Sequence, residues 1–296
     1  MAMFLITGAG GFIGRCLARS MQLKNEAIRL LVRSDKVLGV EESASTEFIR
    51  GDLLEPETLI KATEGVEAVI HIAGVTHTFD KKLYFKVNAQ GTKNLVQACE
   101  KNRVKKIIYI STRAISPSGG PYSRSKREAE SIIKRSSLNY TILRVAEVYG
   151  GDKEKGIEQL IQTIRNSSII PVIGRGDYGL QPVYVGDVVD IIVSASRNNK
   201  ANGKSYNIAG PDVITYIDLV KLICESLNLK RRIVKVPVFV AFISSYLSAL
   251  LLRKTIIYPD QIPRLISPKE ESIKQAVDDL GYKPISFKEG LKLILG

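Results

Sequence analysis

Cysteine is scarce in this 296-residue chain, and the three present, Cys16, Cys99 and Cys224, lie far apart. An odd, scattered set supplies neither a disulfide framework nor a metal-binding spacing, which suits a reducing cytoplasm. Histidine is scarcer still. His71 and His77 are the only two, and without acidic neighbours they make a poor metal pair. His71 reads instead as a strand-end residue. No cleavable leader is expected, because the apolar start Met3 to Ile6 is far too short. Internal repeats and low-complexity segments are also missing. Acidic residues are in the minority, 30 against 43 basic ones, for a net charge of +13. Such an excess favours nucleotides, nucleic acid or anionic membranes. No zinc-finger spacing, aromatic RNA-binding signature or arginine-rich tail accompanies it, so the expectation is a lysine-rich solvated surface and no nucleic-acid partner. The apolar stretch Val236 to Leu252 is slightly short for a membrane span and contains Pro237, Ser244, Ser245 and Ser248. Lys230, Arg231, Arg232, Lys235, Arg253 and Lys254 flank it. It is read as a core helix of a C-terminal lobe, in preference to a helix lying on an anionic membrane surface.

What is present starts at the N-terminus. Met3 to Thr7 reads as a buried strand, Gly8-Ala9-Gly10-Gly11-Phe12-Ile13-Gly14 follows, and a helix is expected from Arg15 to Leu23. Strand, glycine turn and helix is the context of a dinucleotide site. Gly8 permits the tight turn, Gly11 lets backbone N–H groups approach a pyrophosphate, and Gly14 allows close packing of the helix. Further strands are expected at 27–32, 46–50, 67–72, 105–110 and 140–143, separated by helices near 56–64, 83–101 and 122–135. That alternation predicts parallel βαβ units and an α/β, Rossmann-type doubly wound sheet. Beyond Gly150 the pattern loosens. Helices are expected near 156–166, 185–196, 215–227 and 272–280, with a strand at 205–208. The expected division is residues 1–150 and 186–210 in the dinucleotide-binding unit, with 151–185 and 211–296 forming a smaller, interleaved substrate-binding lobe.

Tyr122-Ser123-Arg124-Ser125-Lys126 places a phenol and an ammonium four positions apart, on one helix face. A cation beside a phenol lowers its pKa, and such a tyrosine can exchange a proton with a hydroxyl or carbonyl. Ser111-Thr112 adds hydroxyls at the end of the preceding strand.

With the glycines spaced Gly-x-x-Gly-x-x-Gly and this Tyr-x-x-x-Lys pair, the chain resembles the extended short-chain dehydrogenase/reductases, the group that includes nucleotide-sugar epimerases and dehydratases. The resemblance runs from residue 3 to about 187 and weakly beyond. It implies Tyr122 as acid/base, Lys126 as its partner and ribose anchor, and Thr112 as the hydroxyl that orients the substrate, with Ser111 close behind. The implied coenzyme contacts are Gly8, Gly11, Phe12, Ile13, Gly14, Arg33, Asp52, Leu53, Ala73, Gly74, Asn88, Ser111, Tyr122, Lys126 and Val148. Asn88, with Gly91-Thr92, matches the central-helix asparagine. The chain departs from the family where only ten positions separate Thr112 from Tyr122, and where Leu180 stands in place of a phosphate-binding arginine. Arg144-Val145-Ala146-Glu147 also lacks the usual proline.

Coenzyme choice is read at the end of the second strand. An acid there would favour NAD. The chain reads Val32-Arg33-Ser34, with Asp35 one step further on, so NADP is preferred to NAD. The expected function is an NAD(P)-dependent oxidoreductase or epimerase acting on a hydroxyl/carbonyl substrate, a small molecule for which a nucleotide sugar is one candidate. The alternative is an NADPH-binding accessory protein resembling a subunit of the respiratory NADH–quinone complex. A cytoplasmic location is expected, no metal is, and a homodimer is left open.

Overall fold

The structure, a computed structural model, describes residues 2–34, 37–115, 119–151, 156–244 and 272–296. Short apolar strands alternate their side chains between two faces, and amphipathic helices cover both. β1 (Phe4–Thr7), β2 (Ile28–Val32), β3 (Thr46–Arg50), β4 (Ala68–His71), β5 (Lys106–Thr112), β6 (Asn139–Val145) and β11 (Lys204–Ile208) form one sheet in the order β11-β6-β5-β4-β1-β2-β3. Every pairing in it is parallel. This is the doubly wound α/β sheet expected from the sequence.

On one face, α1 (Phe12–Leu23), α7 (Val185–Arg197) and α10 (Lys274–Leu280) bury Leu17, Met21, Val188, Ile192 and Leu280 against Ile6, Leu30, Ile70, Ile108 and Leu143. On the other, α2 (Pro56–Thr63), α4 (Gly91–Lys101) and α5 (Gly120–Lys134) pack Leu59, Leu95, Cys99, Ala129 and Ile133 against Leu5, Leu31, Val69, Ile107 and Ile142. Each fully buried leucine or isoleucine contributes roughly 1.5–3 kcal/mol, so these two layers hold the sheet together. Lys106 is buried at the start of β5. Its ammonium donates to the carbonyls of Ala195 (2.7 Å) and Asn198 (2.9 Å), tying the C-terminal end of α7 to the sheet.

Several boundaries differ from the sequence reading, each for a local reason. α1 starts at Phe12 rather than Arg15, because Arg15 N–H already closes on the Gly11 carbonyl at 2.9 Å. The helix expected from Leu83 begins at Lys81 (α3, Lys81–Tyr84) and passes through a π-helical turn, Phe85–Gln90, before α4. Hydrophobic periodicity carries no sign of that turn. β5 runs on to Thr112 and β6 to Val145.

A further apolar cluster joins α6 (Ile157–Asn166), β8 (Ile169–Ile173), α8 (Tyr216–Ser226) and α11 (Phe287–Leu295) through Ile161, Ile164, Ile170, Leu219, Ile223, Phe287 and Leu291. β8 pairs in parallel with β13 (Arg232–Val236), two strands that the turn-rich composition concealed. Shorter pairs join β7 (Val148–Tyr149) to β10 (Val183–Tyr184), and β9 (Gly179–Leu180) to β12 (Ile214–Thr215). α11 opens with a capping box between Ser286 and Glu289. α10, in the stretch 211–296 that the sequence assigns to the lobe, packs on the large sheet. Lys204 and the Tyr206 hydroxyl hold Asp279 at 2.8 and 2.9 Å, and Ser194 donates to the Leu280 carbonyl. Residues 238–244 form a helix, α9, and the remainder of the apolar stretch to Leu252 lies outside the described residues.

Candidate active site

A parallel sheet brings the C-terminal ends of its strands to one edge, and the strand order reverses between β1 and β4. Ligands of open α/β sheets bind in the crevice at that switch point. Here the loops after β1 and β4 close on each other. Gly8 has φ +77, and a Cβ on it would sit 2.6 Å from the Ala73 amide nitrogen. A Cβ on Gly14 would lie 2.1 Å from the Gly8 carbonyl oxygen, so the first turn of α1 rests on the loop itself. Gly11 is the N-cap of α1. No side chain caps that end and no acid lies in its first turn. The positive end of the helix therefore meets a cradle that only glycines can line, which fits the pyrophosphate of a dinucleotide. Phe12 and Ile13 are half-buried, and a Cβ on Gly151 would lie 3.3 Å from the Phe12 ring, which places that ring beside the loop following Val148.

Arg33 and Ser34 leave β2 exposed, while Asp35 lies outside the described residues. β3 lies alongside, with Arg50 paired in register to Val32 and also exposed. The sequence reading missed this second cation; a basic residue ending the neighbouring strand was its signal. Asp52 accepts from the Leu54 N–H at 2.9 Å, and the buried Leu53 fills the space that a Cβ on Gly91 would need.

The opposite side of the cleft is built on a buried hydrogen-bond chain. The Ala73 N–H donates to the Thr7 hydroxyl, and the Thr92 hydroxyl donates to the Asn88 carbonyl at 2.6 Å. Between them His71 makes contacts of 2.7 Å to Thr7 through Nδ1 and 2.9 Å to Thr92 through Nε2. The Thr92 proton is already committed, so Nε2 carries the histidine proton and Nδ1 accepts from Thr7. Burial, reinforced by the Lys126 charge, pushes His71 down to about 3, so the ring is neutral. The Asn88 side chain accepts from the Val75 N–H (2.7 Å) and donates to the Val75 carbonyl (3.0 Å) and the Ser125 hydroxyl (3.1 Å). It thus fastens the loop containing Ala73 and Gly74 to α5, from a π-helical turn of the kind often found at functional sites.

Tyr122 and Lys126 lie one turn apart on α5, and both are buried. Tyr84 meets the Tyr122 ring edge-on at 5.7 Å. The Lys126 ammonium donates to the Ile110 carbonyl at 2.8 Å and sits 4.2 Å from the centre of the Tyr109 ring. Burial lowers Lys126 to about 7, and Glu130 on the next turn pulls the other way. Burial also works against the Glu130 charge. Hydrogen bonds from Arg144 and Ser111, with the Arg144 charge, outweigh it and hold the carboxyl below its ordinary value.

This arrangement separates the two hydroxyls at the end of β5. Ser111 is turned inward and donates to Glu130 at 2.7 Å, so the structure does not bring it into the cleft with the other candidates. Thr112 stays partly exposed and accepts from the Ala114 N–H at 3.1 Å. Next to it, buried Arg113 donates to Gln181 at 2.7 Å, and Gln181 donates in turn to the Gly210 carbonyl. This segment thus offers the buried Leu180 and an engaged glutamine, and neither carries a charge. No metal-binding cluster of histidine, cysteine or carboxylates occurs among the described residues.

These features define a coenzyme-linked α/β enzyme, and comparison with known proteins agrees. Residues 4–209 match the model of the NAD dependent epimerase/dehydratase family, and the chain belongs to that family. It is 24% identical to the 3beta-hydroxysteroid-dehydrogenase/decarboxylase isoform 2 of Arabidopsis thaliana, over 97% of this chain and 60% of that protein's length. It is 27% identical to the ceramide reductase of Caulobacter vibrioides, over 78% of this chain and 73% of that one. A similar fold occurs in the UDP-glucuronic acid 4-epimerase of Bacillus cereus, solved with UDP-glucuronic acid and NAD. The TM-score is 0.80 at 21% identity, covering 99% and 97% of the two chains.

Proposed function

We propose that this protein is an NADP(H)-linked oxidoreductase acting on a secondary hydroxyl or its ketone. The observation that supports the reading is the burial of Tyr122 and Lys126 one turn apart on α5, with Lys126 against Tyr109 and backed by Glu130. A bound nicotinamide would accept or supply the hydride at the substrate carbon. Tyr122 would take or give the proton at the substrate oxygen. Lys126, when charged, favours the phenolate form of Tyr122. Thr112 would hold the same oxygen in line. Gly8, Gly11 and Gly14, with Ala73 and Gly74, would hold the dinucleotide, and Arg33 with Arg50 would face a 2′-phosphate. A purely binding role, as in an accessory subunit, leaves the Tyr122–Lys126 pair without a task.

Two substrate classes follow from the relatives. The Bacillus cereus structure carries a sugar nucleotide, whereas the Arabidopsis and Caulobacter relatives are named for a hydroxysteroid and a ceramide. Leu180 and the engaged Gln181 favour the second class, because neither offers a charge to a diphosphate. The test is coenzyme-linked turnover against sugar nucleotides, hydroxysteroids and long-chain keto lipids, with NADP(H) and NAD(H) in parallel. Turnover with NADP(H) on at least one class is expected. A protein that binds neither coenzyme in a calorimeter overturns the reading.

A further inference from the structure

We infer that the outer face of β8, β13 and α9 docks on an anionic membrane surface, an interaction separate from the coenzyme site and independent of its reading. β8 and β13 form a parallel pair in which Ile169 lies beside Arg232, Pro171 beside Val234 and Ile173 beside Val236. Ile170 and Val172, on the other face, are fully buried in the lobe. The first set therefore points outward. α9 covers only one end of it, seating Ala241, Val238 and Phe242 on Ile173 and Val236.

What α9 leaves outside is apolar. Phe239 is 65% exposed and Ile243 54%, one helical turn apart, with Val240 beside them. On the strands, Ile169 is 51% exposed and Val234 is exposed with it. Large apolar side chains scattered singly need no explanation, but a group on three adjoining elements marks an interaction site.

The charge around this face decides its occupant. Arg232 lies on this face and Lys230 just before β13. Arg231 donates to the carbonyls of Ile164 and Arg165, and Lys235 alternates to the other side of β13 near Asp177. Residues 226–244 contain no acid apart from none beyond Glu225. The nearby Asp177 is paired with Arg175. A second copy of this chain would bring the same cations against them. An anionic lipid headgroup layer accepts the cations, while Phe239 and Ile243 enter the boundary with the acyl chains. No helix among the described residues is long and apolar enough to cross a membrane. Near an anionic leaflet each basic residue raises partitioning by about fivefold.

The test is flotation of the full chain with vesicles of phosphatidylcholine containing about one third phosphatidylglycerol, and with pure phosphatidylcholine. The wild type should float with the anionic vesicles only. The exposed-face variant Phe239→Ser/Ile243→Ser should float at least tenfold less and keep its thermal midpoint, and Lys230→Glu/Arg232→Glu should behave likewise. No flotation of the wild type overturns the proposal. Equal flotation of wild type and the serine variant does so too, since binding would then come from the basic surface elsewhere. A wild type that stays with the pellet but runs as a larger species than the serine variant on a sizing column identifies a second copy as the occupant, and also overturns it.

Discussion

Replacing Lys126 by methionine should flatten the alkaline stability profile, and the size of the effect follows from its burial. The ammonium is removed from water against the Tyr109 ring, which takes its pKa from 10.5 to about 7. Between those two values the unfolded chain holds a proton that the folded chain has released. The unfolded state then binds more protons, so stability rises with pH across that window, by up to about 1.4 kcal/mol per pH unit for one group. Below about 7 both states are protonated and the contribution is level. Methionine fills similar volume without a titrating group. Urea unfolding of both proteins from about pH 7.5 to about 9.5 should therefore give a wild-type curve steeper by roughly 1 kcal/mol per pH unit. The buried Cys99 thiol, raised to about 12, bends both curves the other way and cancels in the difference. Parallel curves would refute the claim that Lys126 is desolvated in the folded chain.

Three further outcomes are expected. His71, held near 3 against an ordinary 6.5, stays neutral while the unfolded chain protonates. Stability should fall as pH drops from about 6.5 towards 3, and His71→Asn should make that acid limb shallower in the same urea assay. Gly14→Ala forces a methyl group to 2.1 Å from the Gly8 carbonyl; it should cost about 1–3 kcal/mol of stability and abolish calorimetric coenzyme binding. Arg33→Ala should erase most of an NADP(H) over NAD(H) preference of roughly one to two charge-assisted contacts, each about 1.5–3 kcal/mol, with equal wild-type affinities for the two coenzymes as the opposing result.

Much of this architecture was legible in the chain because it rests on local rules. The glycine loop, the alternating strands and the Tyr122–Lys126 spacing each follow from period, turn chemistry or helix geometry. What escaped depends on tertiary partners. Ser111 and Thr112 are adjacent and chemically alike, and only the position of Glu130 on α5 draws one inward. The chain from Thr7 through His71 and Thr92 to Asn88 links three elements distant in sequence. β8 and β13 stabilise each other across a long separation, so neither shows a strong signal alone. α11 carries a local signal of its own, since Ser286 and Glu289 spell a capping box ahead of an apolar run.

The most direct test of the central claim is the turnover of Tyr122→Phe. On the substrate with the highest wild-type kcat/KM, the variant loses one hydroxyl from a buried ring. The account predicts a kcat lower by about two to four orders of magnitude, with coenzyme affinity within about twofold of wild type because the cradle of Gly8, Gly11 and Gly14 is untouched. A Tyr122→Phe variant that keeps wild-type kcat would contradict the assignment of the proton-transfer group and the function built upon it.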